Sequence, residues 1–177
     1  LTPMQCLLSV RASDIMASEN RKPGVSQYGS VDPAPAESKG NLETWSSTLC
    51  DESQPMFQRM RSVFSLRNHG SDDACLALCA GFSASSALLR HELAYVLGQM
   101  QNEVALPALI DRLADVDEHI MVRHEAAEAL GAIGNPDAKP VLKQFLDDEN
   151  IEVSESCEVA LDLLNWCATP EWEKAEW

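Results

Sequence analysis

Four side chains of this sequence have the types and the spacing to hold a metal: His91, Glu92, His124 and Glu125. They form two His-Glu dipeptides 33 residues apart, and they use two of the only four histidines in 177 residues. Neutral imidazole and carboxylate together suit iron, manganese or zinc. One His-Glu pair reads as an exposed or capping pair, because both residue types are usually at least partly exposed. Two in the same register ask for another reason. A shared ligand requires that the chain hold the two dipeptides side by side.

The flanking residues supply such a frame. Arg90-His91-Glu92-Leu93-Ala94-Tyr95-Val96-Leu97-Gly98 aligns with Arg123-His124-Glu125-Ala126-Ala127-Glu128-Ala129-Leu130-Gly131, and Ala105, Pro107 and Leu109 fall on Ala138, Pro140 and Leu142. Another step reaches Cys157-Glu158-Val159-Ala160-Leu161; a step back reaches Arg59 to Leu66 with a slip of two residues. Apolar residues recur at helical spacing, and helices are expected over 53–67, 72–82, 86–101, 104–115, 119–133, 137–148 and 151–166. Pro55, Pro107 and Pro140 fall in first turns, where a missing N–H costs little. No strand-like alternation appears.

A period in this range marks a solenoid, in which one helix pair buries its apolar face only against the next. The expected fold is all-α: a HEAT-like helical-repeat solenoid with about four helix pairs, the last lacking a clear second helix. The Leu-Gly closing each repeated segment fits a close approach between helices. Equivalent helices of stacked repeats lie roughly 8–10 Å apart, so two imidazoles and two carboxylates can converge, as in helical di-iron proteins. The outer repeats carry Met60-Arg61 and Cys157-Glu158 at that place. His69 and His119 lie in or beside expected turns and receive no role. Tyr95 and Gln99 share the helix of the first pair, and packing is the expected use of the Tyr.

Net charge is −15, of which residues 51–177 carry −14. Such a surface repels nucleic acid and anionic membrane, and suits a basic partner or bound cations. No nucleic-acid or membrane partner is expected, and no stretch approaches the ~20 apolar residues of a membrane span. The six cysteines form no CxxC; they read as small buried side chains in a reducing compartment. No signal-peptide pattern follows Leu1. Residues 1–45, rich in Pro, Gly, Ser and Asn, are expected to be a flexible segment or linker, with 46–168 the repeat domain and 169–177 a tail. The phosphate loop, nucleophile elbow, dinucleotide fingerprint and zinc-finger spacing are absent.

Ser86 to Glu92, Tyr95 to Met100 and Met121 to Ile133 closely resemble deoxyhypusine hydroxylase, as do Glu155 to Asp162, Asp51-Glu52-Ser53 and the connector-like Ser30-Val31-Asp32-Pro33-Ala34-Pro35. The resemblance covers about residues 26–166. It implies a cytoplasmic di-iron monooxygenase that uses dioxygen to hydroxylate deoxyhypusine on translation initiation factor 5A, completing hypusine. The family's solenoid has two halves with two His-Glu motifs each and the irons between them; this chain resembles the C-terminal half. A missing N-terminal half or a second chain is therefore an expected partner. By the resemblance His91, His124 and Glu125 are iron ligands. Glu92 is the catalytic candidate, meeting the substrate amine, and is counted among the four metal candidates. Two rival readings remain: a non-catalytic HEAT-like interaction module, and another HEAT-like enzyme such as a bilin lyase relative, which would explain the repeats without the paired His-Glu.

Overall fold

A computed structural model describes residues 22–175. Among them are eight α-helices and no strand: α1 Leu42–Cys50, α2 Met56–His69, α3 Asp72–Ala80, α4 Ala87–Met100, α5 Leu106–Ala114, α6 Ile120–Ile133, α7 Lys139–Gln144 and α8 Ile151–Trp166. Residues 22–32 form a small unit with a turn closed by Ser26 N donating to Ser30 O at 2.7 Å. Residues 1–21, Cys6 included, lie outside the described residues, as do residues 176–177. Residues 33–45 of the expected N-terminal segment belong to the repeat unit, with Ala34 buried and Glu37 N donating to Ser65 Oγ at 2.7 Å. Cys50, Cys75, Cys79, Cys157 and Cys167 are free thiols. No described helix is long and apolar enough to cross a membrane.

The fold is the expected all-α repeat stack. Helices α2, α4, α6 and α8 pack successively in one layer, and α1, α3, α5 and α7 form the other. Between the layers lies one core, with Phe64, Leu78, Leu93, Leu97, Leu109 and Leu130 fully buried. The pairing differs in phase from the sequence reading. Helix α1 was not foreseen; with it each inner-layer helix has an outer helix before it, and the four pairs are complete. The segment Leu42–Cys50 is short and rich in Ser and Thr, so its periodicity is weak. Its signal is the start: Asn41 accepts from Thr44 N while the Thr44 hydroxyl meets the Asn41 N–H, a reciprocal cap. Helix α7 is shorter than expected because the chain unwinds at Phe145, which brings Asp148 in the next turn to Arg123.

Two devices repeat with the helices. Gly98 and Gly131 sit where the inner helices touch. A Cβ on Gly98 would lie 3.1 Å from Ala129 Cα, a tight contact, and one on Gly131 would lie 2.9 Å from Ala160 Cβ, too close without a shift. Arginines, two of them buried and Arg90 nearly so, clamp three of the four inner helices to a neighbouring loop. Arg59 pairs with Glu52, Arg90 with Glu118 and Arg123 with Asp148. Arg59 Nε also donates to Leu49 O, and Arg123 Nε to Leu113 O. Each guanidinium is paired with a carboxylate and gives one further N–H to a backbone carbonyl, which offsets much of the cost of burying it.

Candidate metal centre

The site is built by α4 and α6, which start alike. Ser86 caps α4 by accepting from Leu89 N, and the His119 side chain caps α6 by accepting from Met121 N. His119 thus serves as a cap, a use that its place beside a turn left open. His91 and His124 are each the fifth residue of a 14-residue helix. The residue before each is a clamped Arg committed to the interior, so the next position, about 100° further round the helix, turns its imidazole to the other face.

The structure brings three of the four candidates together. His91, His124 and Glu125 each offer one ligand atom, all within 4.8 Å of one another. Glu125 Oε2 lies 3.0 Å from His91 Nε2 and 3.8 Å from His124 Nε2. The two rings are 5.9 Å apart between centroids and tilted by 33°. Glu125 is buried, although no Arg or Lys is paired with it. A carboxylate taken out of water without such a partner needs a cation. In the metal-free protein a proton on His91 partly serves: its hydrogen bond to Glu125 raises the His91 pKa above the ordinary value, burial opposes this, and the charges of Glu125, Glu92 and Glu128 add to the rise.

Glu92 is half-buried on α4 and is not one of the three. Glu125 reaches from α6 back to the histidine of α4. The same reach from Glu92 leads towards α2, where Met60 holds the register position of the histidine. Its negative charge still acts on His91.

The donor set fits a metal. Two imidazoles and one carboxylate are the donor types that non-haem Fe(II) oxygenases use. The sequence reading passed over Glu128 and Ser156, which contact His124. Their signals were an acidic residue four positions after the histidine and a Ser where the repeat elsewhere has its clamping Arg.

The HEAT repeats family matches residues 75–162. The deoxyhypusine hydroxylase of Gallus gallus is 50% identical over 171 residues, covering 97% of this chain and 57% of that protein. The Homo sapiens enzyme is 47% identical over 158 residues, covering 89% of this chain and 52% of the human protein. The structure of human deoxyhypusine hydroxylase in complex with glycerol superposes with a TM-score of 0.79 at 48% identity, covering 82% of this chain and 50% of that one. This chain is similar to deoxyhypusine hydroxylases over nearly all of its length. It spans a little over half the length of the curated relatives it matches. Its relatives are hydroxylases by name, and the all-helical repeat fold is common to both.

Proposed function

We propose that this chain provides one half of the iron site of a deoxyhypusine monooxygenase, which hydroxylates deoxyhypusine to hypusine on translation initiation factor 5A in the cytoplasm. The observation that carries the reading is the convergence of His91, His124 and Glu125 in a protein half identical to hydroxylases of that name. Three donors on one face leave coordination positions for a partner, either the N-terminal half of a longer protein or a second chain. Iron, when bound, supplies the activation of dioxygen that hydroxylation of an unactivated C–H bond requires.

The chain's own residues have distinct tasks. His91 and His124 would present ring nitrogens to the metal, and Glu125 would supply negative charge between them. Glu92, one position from His91 and outside the three-residue group, holds the ammonium of the deoxyhypusine arm. The net charge of −15 favours approach of that cationic arm.

The test is to purify this chain, add the N-terminal half, and measure iron under reducing conditions and hydroxylation of factor 5A bearing deoxyhypusine. Iron bound by the mixture and hypusine formed would establish the reading. A chain that binds no iron, alone or mixed, would reduce it to an interaction module.

A further inference from the structure

His124 meets partners on both sides of its ring. Its Nε2 faces Glu125, and its Nδ1 faces the opposite way, 3.4 Å from Glu128 Oε1 and 3.5 Å from Ser156 Oγ. Ser156 Oγ in turn donates to Glu128 Oε1 at 3.4 Å. Glu128 lies on α6 one turn after His124, and its side chain is 54% exposed. Ser156 lies on α8 and is buried. The buried hydroxyl therefore tethers an otherwise solvated carboxylate beside the imidazole.

The register shows that this is a departure from the repeat. One step of 33 residues before Ser156 stands Arg123, and one before that Arg90, both of them clamps. A clamping Arg at 156 would fill the place of the small hydroxyl and bring a positive charge next to His124. One step before Glu128 stands Tyr95, whose hydroxyl accepts from Gln99 Nε2 at 3.1 Å. On that helix His91 Nδ1 is buried without a hydrogen-bond partner.

We infer that Glu128 and Ser156 are positioning residues for the metal ligand His124: the geometry keeps the proton on Nδ1 and presents the Nε2 lone pair to the metal. An ionised carboxylate only accepts hydrogen bonds. Glu128 Oε1 lies 3.4 Å from Nδ1, with Ser156 Oγ at 3.5 Å, whereas Glu125 Oε2 is 3.8 Å from Nε2, so Nδ1 is the nitrogen placed to carry the proton. The partner of one imidazole nitrogen thereby decides which form the other takes. With Ser156 donating to Glu128, the hydroxyl lone pairs remain to accept from Nδ1–H as well. This rests on the metal-site reading above and assigns unequal tasks to its two histidines.

The experiment is a titration of the full chain with Co(II) alone under reducing conditions, followed by visible absorption, together with 15N NMR of the imidazoles in the metal-free protein. Glu128→Ala is expected to weaken Co(II) binding by about 10–100-fold, the usual effect of losing such a partner, and to move His124 from the Nδ1–H to the Nε2–H form. Glu128→Gln, whose amide oxygen still accepts from Nδ1–H, is expected to recover most of the affinity. Ser156→Ala is expected to weaken it less than Glu128→Ala, and Tyr95→Phe to leave it unchanged. Equal binding by wild type and Glu128→Ala would overturn the inference while leaving the metal site standing. A Glu128→Gln protein as weak as Glu128→Ala would overturn it in favour of bulk negative charge. Should wild type fail to bind Co(II) both alone and with the N-terminal half added, the metal-site reading falls and the inference with it.

Discussion

His91 and His124 occupy the same position in successive repeats, yet their rings are held differently. His91 is the closer to Glu125, and its other nitrogen is buried without a partner. His124 is further from Glu125, and its other nitrogen faces Glu128 and Ser156. The carboxylates differ too: Glu125 sits between the rings, while its counterpart Glu92 stands outside the group. A repeat copies the backbone position of a residue. It does not copy the helix against which that residue looks, and α6 looks at α8, whose sequence has given up the clamping Arg.

The clamps on the two helices give the first and largest test of that comparison. Asp148→Ala would leave Arg123, which is 2% exposed, buried without its carboxylate, a loss of about 3–5 kcal/mol. Glu118→Ala should cost less, since the Arg90 side chain is 16% exposed and can reach water. Urea denaturation of both variants checks the order, and equal losses would show that the two clamps are equivalent.

Acid should act on the same pairs. Burial is the largest single influence and pushes the Asp148 and Glu118 carboxyls up. The arginine hydrogen bonds and charges, with the bonds from Asn150 to Asp148 and from the His119 N–H and Arg112 to Glu118, together outweigh it, and both stay below their ordinary values of 3.8 and 4.5. A carboxylate depressed by folding contributes its full stability above its unfolded pKa and loses it as the pH falls through the folded one. Melting temperature should therefore hold to about pH 5 and then fall. In Asp148→Asn the fall should be shallower, and an unchanged slope would assign the acid sensitivity elsewhere.

The carboxylates of the two His-Glu pairs separate next. Glu125→Ala removes the group between both rings and should lower iron content in the assembled site by roughly tenfold or more. Glu92→Ala should reduce turnover more than iron. Iron analysis beside a hydroxylation assay distinguishes them, and equal loss of iron would end the division of roles proposed for them.

The smallest effect concerns the glycines. Gly131→Ala places its methyl 2.9 Å from Ala160 Cβ and 3.0 Å from Ala160 Cα. The cost of overpacking, about 1–3 kcal/mol, exceeds the ~1 kcal/mol of helix propensity that Ala adds. Gly98→Ala meets Ala129 at 3.1 Å and should fall closer to balance. Calorimetry of the two variants reads the difference directly.

The repeat was readable because each inner helix repeats one pattern of apolar residues, and the Leu-Gly ends marked the helix contacts. Helix α1 was missed because Leu42–Cys50 has weak periodicity and is held by a cap at Asn41. The end of α7 was missed because Asp148 leaves the helix to meet Arg123, a partner 25 residues away. The arginines stood in the aligned segments, but nothing in one chain segment says that a guanidinium is buried. Glu128 and Ser156 were passed over for a similar reason: their use appears only when α6 and α8 lie side by side.

The sequence by itself determined the periodic helices, their stacking into a HEAT-like solenoid and the placing of His91 and His124 at one height on adjacent helices. Those follow from local hydrophobic spacing and from the identity of repeated residues. The family resemblance already set Glu92 apart from Glu125, and the tertiary structure supplied the physical ground, Glu125 lying between the two rings. Only the tertiary structure decided that one imidazole has a tethered carboxylate behind it. Register fixes where a side chain starts. Which atoms it meets depends on the neighbouring helix, and each helix of this stack has a different neighbour.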